Sequence, residues 1–328
     1  MKRKSLLASL SILGLSLGLS GCSSTDSADN RPTIVATTSV WADVASQIAG
    51  DKFNVIALID KPSQDPHSFE ASARDQLAVS ESSLFIMNGG GYDEFATKLA
   101  SAAEVVPFDV YENHEKAHGT EHKDEHAGEH TDEHTDEHTD EHTDEHTDEH
   151  TDEHAHGHDG SDHIWYDLHV VEATALDLSK QMAVLQPENK NLFDENYKQF
   201  AAQIEALEVK AEKLTGKLSY FEAHPLAALL FKELGFNNLT PEGFAEAEEA
   251  GLEPSPLIMK AAKDLIGNSE VDFVAVNPQA TSTSLEQLIN LAKENSVPVL
   301  NFDELLPEGK NYQEWMLSIL DEIESVTL

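Results

Sequence analysis

The sequence predicts an α/β protein of two lobes, each a mainly parallel sheet flanked by helices, joined by one long helix. Three observations carry that expectation. The chain runs to 328 residues, a length that favours two domains. In both halves β-branched runs alternate with amphipathic segments, the pattern of parallel strands with helical crossovers. Between the halves lies one periodic stretch, from Pro187 to about Gly216, with Phe193, Tyr197, Phe200, Ile204, Leu207 and Leu214 near helical spacing. A helix of some 28 residues reaches about 40 Å, enough to serve as a spine between lobes.

Taken in order, the chain opens on Lys2-Arg3-Lys4 and an apolar run from Leu6 to Leu19, too short for a comfortable membrane span. Leu19-Ser20-Gly21-Cys22 then sets the only cysteine behind small residues. Residues 1–21 therefore read as a lipoprotein signal peptide cleaved before Cys22, which takes the lipid, and residues 22–31 as a polar tether. With Cys22 acylated no cysteine is left for a disulfide, so an exported protein must rely on its packed core. The first lobe is expected over 32–185. Its strands are Thr33 to Ser39, Phe53 to Ile59, Ser83 to Asn88 and one beginning at Val105-Val106. Its helices cover Val40 to Ile48, Ser68 to Val79, a segment from Tyr92, and Val170 to Leu185. Gly89-Gly90-Gly91 makes a turn and lacks the context of a phosphate-binding loop. The spine takes 186–217 and the second lobe 218–328. There the strands are Ser219 to Ala223, Phe273 to Val276 and Pro298 to Phe302. The helices are Pro225 to Leu234, Leu257 to Gly267, Ser284 to Asn295 and Tyr312 to Ser325, with a loop rich in Pro and Glu from Thr240 to Pro256.

Interrupting the first lobe is a tract of another composition. From His130 the motif His-Thr-Asp-Glu repeats six times, and thirteen of the seventeen histidines lie between His114 and His158. Residues 112–162 carry twenty acidic side chains against two lysines, about −18 of the formal −40, and almost nothing apolar. Such a segment buries too little to offset its conformational entropy and is expected to be disordered. Imidazoles interleaved with carboxylates read as a metal-collecting segment. The rest of the chain is also acidic, which argues against nucleic acid as a partner.

Outside the tract and His169, three histidines remain: His67, His163 and His224. Each stands where a strand meets a loop or a loop meets a helix, the place where α/β folds bind ligands. Three imidazoles with a fourth position left to water or a carboxylate form a competent zinc set. The segments around them, Asp65-Pro66-His67-Ser68-Phe69-Glu70, Asp162-His163-Ile164-Trp165 with Asp167, and Ala223-His224-Pro225 ahead of Phe231-Lys232-Glu233-Leu234-Gly235-Phe236, resemble three metal-ligand signatures. They are those of the zinc and manganese solute-binding proteins of ABC importers (the cluster 9, or cluster A-I, family), and the similarity runs from about Thr33 to the C-terminus around the tract. The resemblance implies two α/β lobes on one long helix, with His67 and His163 from the first lobe, His224 from the second, and the metal in the cleft. It also accounts for a His-rich loop just before the second ligand. The family often adds an acid after a strand of the second lobe, where this chain has Val276-Asn277-Pro278-Gln279. The fourth position is therefore left to water or an unnamed carboxylate, and Asp65, Glu70 and Asp167 are candidates to orient the imidazoles.

The expected function is that of an exported, lipid-anchored monomer on the outer face of the cytoplasmic membrane or in the periplasm. It captures Zn²⁺ as transported ligand and hands it to an ABC importer permease, without enzymatic chemistry. Imidazole-rich ligation favours zinc over manganese. The alternatives are a Mn²⁺-binding member of the same family, a zinc-dependent hydrolase, for which no HExxH is present, or a surface metal buffer.

Overall fold

A computed structural model describes residues 30–118 and 162–327, apart from 62, 63, 65, 67, 250 and 281. Cys22, His67, Asp65 and most of the His-rich tract thus lie outside the described residues. Strand β1 (Thr33–Thr38) is the β-branched run expected from the sequence. It leads into α1 (Ser39–Ala49), which buries Val40, Trp41, Val44, Ala45 and Ile48 and stops at Gly50. Then follow β2 (Asn54–Ile59), α2 (Ala73–Ser80), β3 (Leu84–Met87), α3 (Glu94–Ala103), β4 (Phe108–Asp109) and α4 (Val110–His118). A 3-10 turn (Ile164–Tyr166) opens α5 (Leu168–Leu185), and a second (Pro187–Asn189) opens the spine, α6 (Lys190–Leu214). The second half holds β5 (Ser219–Glu222), α7 (Ala228–Glu233), β6 (Asn237–Asn238), α8 (Phe244–Glu249), α9 (Pro256–Gly267), β7 (Phe273–Val276), α10 (Thr283–Glu294), β8 (Val299–Asn301) and α11 (Tyr312–Thr327).

Both sheets are parallel and share one topology, β2-β1-β3-β4 in the first lobe and β6-β5-β7-β8 in the second. Because side chains alternate across a strand, each sheet feeds two apolar layers. Ile34, Ala36 and Ile86 face a large core that runs on to α6, whereas Val35, Phe85 and Met87 pack outward with Val79 and Leu99. Likewise Phe273 and Ala275 face the large core, while Val274 and Val276 turn to α9 and α10. That large core takes side chains from both lobes. The spine crosses it with a stripe of Phe193, Phe200, Ile204, Leu207, Ala211 and Leu214, all buried. Its 25 residues span about 37 Å at the usual rise.

A second connection between the lobes follows β8. The backbone N–H of Leu306 donates to Ser39 Oγ at 3.1 Å and that of Tyr312 to Asp43 Oδ2 at 2.9 Å. Gln47 Nε2 donates to Gln313 Oε1 at 2.9 Å. The last helix, α11, thereby packs on α1 and on the spine.

Several elements differ from the sequence reading for local reasons. α2 begins at Ala73, not Ser68, because Ser72 and Asp75 form a reciprocal capping box that fixes its start. No strand begins at Val105-Val106: Pro107 lacks an N–H, Val106 is 90% exposed, and pairing is confined to Phe108–Asp109. The helix expected from Pro225 starts at Ala228, since the Leu226 N–H bonds back to the His224 carbonyl in a turn. The stretch read as a Pro- and Glu-rich loop contains α8, anchored by buried Phe244 edge-on to Phe221 at 4.9 Å. The tract expected to be disordered over 112–162 is ordered at both margins: Glu112–His118 continue α4 and Asp162 is buried.

Gly89, Gly90 and Gly91 hold φ of +79°, +66° and +94°. A Cβ at Gly89 would stand 2.1 Å from Asp109 Oδ1, the oxygen that accepts the Glu112 N–H. Gly89→Ala is therefore expected to cost about 2–3 kcal/mol, left-handed strain plus the displaced carboxylate. Gly91→Ala meets nothing within 4 Å and should cost about 1 kcal/mol from strain alone. Urea midpoints compare the two directly, and equal losses would reject the clash.

Candidate metal centre

In each sheet the order of strands makes connections leave in opposite directions from a central pair, β1 beside β3 and β5 beside β7. Ligands of open α/β sheets gather outside the carboxyl ends at such points. His224 stands there, two residues beyond β5 and half-buried. Glu304 stands beyond β8 and is buried. Asn88, at the end of β3, and Asp162-His163, leading into the 3-10 turn, bring the first lobe to the same region.

His163 is 3% exposed. Its Nδ1 lies 3.1 Å from Asp162 Oδ1, and its Nε2 3.6 Å from Glu304 Oε1 on the other lobe. Tyr92 and Trp165 pack edge-on against the ring, at centroid distances of 5.5 and 5.2 Å, and against each other at 4.9 Å. The segment that carries it is clamped to the second lobe. Tyr166 Oη donates to the Asp303 carbonyl at 2.7 Å, and Tyr312 Oη donates to the Trp165 carbonyl at 2.6 Å. Phe302 packs edge-on against both Tyr166 and Phe231. Burial opposes a charge on the imidazole, yet the hydrogen bonds and charges of Asp162 and Glu304 outweigh it and raise the His163 pKa to about 9. Near neutral pH the metal-free ring is thus a cation held between two carboxylates. A divalent cation that bound Nε2 would have to displace that proton.

Among the described residues no three His, Asp or Glu side chains stand in a ready metal cage. Of the predicted histidines, His163 is brought against a carboxylate of the other lobe, Glu304, which the sequence did not single out. His67 is outside the description, and His224 lies at the expected strand end without completing a set of three. Of the residues proposed to orient imidazoles, Asp167 caps α5 by accepting the His169 and Val170 N–H groups, and Glu70 is exposed. The carboxylate that does touch an imidazole of the predicted set is Asp162, next to His163 in sequence. His169 is a surface residue, its ring 64% exposed, with Nδ1 2.9 Å from Glu208 and Nε2 3.8 Å from Glu233. Asn277, where an acid was sought, turns its Oδ1 onto the Gln279 N–H at 2.9 Å and shapes a turn.

The sequence matches the family described as zinc-uptake complex component A, periplasmic, over residues 34–326. The metal ABC transporter substrate-binding lipoprotein SloC of Streptococcus mutans is 29% identical over 231 residues, 66% of this chain. The alignment spans 62% of SloC's own length. The manganese-binding lipoprotein MntA of Bacillus subtilis is 22% identical over 300 residues, 89% of this chain and 86% of MntA. Among solved structures, the periplasmic zinc binding protein TroA from Treponema pallidum superposes with a TM-score of 0.65 at 17% identity, over 90% of this chain and 99% of TroA. At that identity the likeness speaks for the two-lobed fold.

Proposed function

This chain belongs to the zinc-uptake complex component A family, and on that premise we propose that it is the extracytoplasmic substrate-binding lipoprotein of a metal ABC importer, which captures Zn²⁺ and delivers it to the permease. The observation that carries the reading is the buried His163 of the first lobe, whose Nε2 faces Glu304 of the second. An ion bound there ties the lobes together, and that is the difference between loaded and empty forms a permease can read. The ligand set is His67, His163 and His224, with Glu304 as the carboxylate that the sequence left unnamed. Cys22 carries the lipid, which holds the protein at the outer face of the cytoplasmic membrane. No helix among the described residues is long and apolar enough to cross a bilayer. The protein acts as a monomer and performs no covalent chemistry.

Manganese is the competing cargo, favoured by the name of MntA and by an oxygen ligand at Glu304. Three imidazoles against one carboxylate still favour zinc. Metal analysis of the purified protein, with Zn²⁺ and Mn²⁺ competed at equal activity, tests the assignment. One equivalent of zinc, lost in His67→Ala, His163→Ala and His224→Ala, supports it. Retention of manganese alone changes the cargo, and full metal content in all three variants removes the site.

The tract is proposed as a weaker collector beside this site. Residues 119–161 can be deleted without touching α4 or Asp162. One tight equivalent is then expected to remain while several weaker ones disappear. Calorimetry with unchanged stoichiometry would dismiss a collecting role.

A further inference from the structure

Asn88 is fully buried at the carboxyl end of β3, and every polar atom of its side chain is engaged. Oδ1 accepts the indole N–H of Trp41 at 3.0 Å. Nδ2 donates to the carbonyl of Asp162 at 2.8 Å and to that of Gly89 at 3.2 Å. Its own backbone N–H donates to Asp93 Oδ2 at 2.7 Å, and Asp93 Oδ1 takes the next N–H, of Gly89, at 2.9 Å. The backbone carbonyl of Asn88 accepts the Tyr111 N–H at 2.9 Å. A buried hub so satisfied has a single orientation available. Trp41 decides which end of the amide faces Asp162: with the oxygen on the indole, the NH₂ must point at the carbonyl.

The group it holds is the peptide that joins Asp162 to His163. Fixing that plane fixes the start of the His163 side chain, and the Asp162 carboxylate then holds Nδ1. Tyr92 and Trp165, in contact with each other, pack edge-on against the ring, and Nε2 faces Glu304. Neither a carboxylate nor an apolar isostere serves at position 88. Aspartate cannot donate to the Asp162 carbonyl and would add a charge beside Asp93. Leucine would leave both the indole N–H and the carbonyl buried without partners.

We propose that Asn88, oriented by Trp41, is a positioning residue for metal capture: it holds the Asp162–His163 peptide so that Nε2 is presented to the cation, and so sets how fast the cation leaves. The inference rests on the reading that His163 is a ligand.

The test uses the full-length protein and Zn²⁺ alone, with affinity read by competition against a chromophoric chelator and release by stopped flow. Asn88→Ala is expected to lose about tenfold in affinity, and Trp41→Phe, which puts a smaller phenyl ring in place of the indole and removes its N–H, about threefold, both through faster release. The deciding measurement is a double-mutant cycle with His163→Ala. If Asn88 acts through His163, Asn88→Ala has no further effect once the imidazole is gone. An equal fold-loss in both backgrounds, or wild-type release in both single variants, overturns the proposal. Should Asn88→Ala fail to fold, the Trp41→Phe cycle with His163→Ala decides alone. Failure of the underlying reading looks different: His163→Ala by itself would then bind zinc as the parent does.

Discussion

His163→Ala is expected to lower zinc affinity by on the order of 100- to 1000-fold. A four-ligand zinc site is worth roughly 10–16 kcal/mol, so one protein ligand accounts for about 3–4 kcal/mol. Glu304→Gln should cost less, about 10- to 100-fold, because the amide oxygen remains a weak ligand and only the charge is lost. The two variants separate in the metal-free state. Without the imidazole, Asp162 and Glu304 stay buried and lose the cation between them, so His163→Ala should also lower the metal-free melting temperature. Glu304→Gln removes one of two like charges and should change it much less. Chelator competition and thermal melts on both variants check the pair of expectations. If His163→Ala retains affinity within a few-fold, Nε2 is not a ligand, and the contact with Glu304 is only a buried ion pair between lobes.

Much of this arrangement could be read from residues alone, and the parts that could not share a cause. β3 and β7 announce themselves because strands buried on both faces are continuous apolar runs, and β1 does so by its β-branched residues. His163 draws attention in the sequence because imidazoles outside the tract are few, and its proposed role as a ligand starts from that scarcity. Glu304 draws none. It is one of 61 acidic residues, and nothing local distinguishes it from Asp303 or Glu308. Only the path of β8 and the clamp at Phe302 turn it inward. Asn88 gave a weak signal that could have been used, a polar side chain closing a buried strand before three glycines. β6 is two exposed asparagines on a sheet edge, with no apolar pattern to betray it. α8 hides behind Pro241 and Gly243, which read as loop until Phe244 is seen filling the space beside Phe221.

The remaining expectation concerns pH, and here empty and loaded forms should move in opposite directions. In the metal-free protein the His163 pKa is raised from 6.5 to about 9. A raised pKa means that the folded state binds the proton more tightly than the unfolded chain does. Its stabilisation is thus complete below about pH 6.5 and is lost as pH climbs through 9. For a ring this buried the effect is on the order of 3 kcal/mol at 1.36 kcal/mol per unit, so the metal-free melting temperature should fall between pH 7 and 9. Zinc requires the neutral ring. Each pH unit in the same window removes a tenfold handicap, so affinity should rise about 100-fold between pH 7 and 9. An unperturbed imidazole would level off above about 6.5. Calorimetry in two buffers of different ionisation heat should find about one proton released per zinc from this ring at pH 7.5. An affinity flat from pH 7 to 9, with no proton released, would mean that Asp162 and Glu304 do not hold His163 charged. The cation would then meet a ring already free to bind it, and the proton would have no part in capture or release.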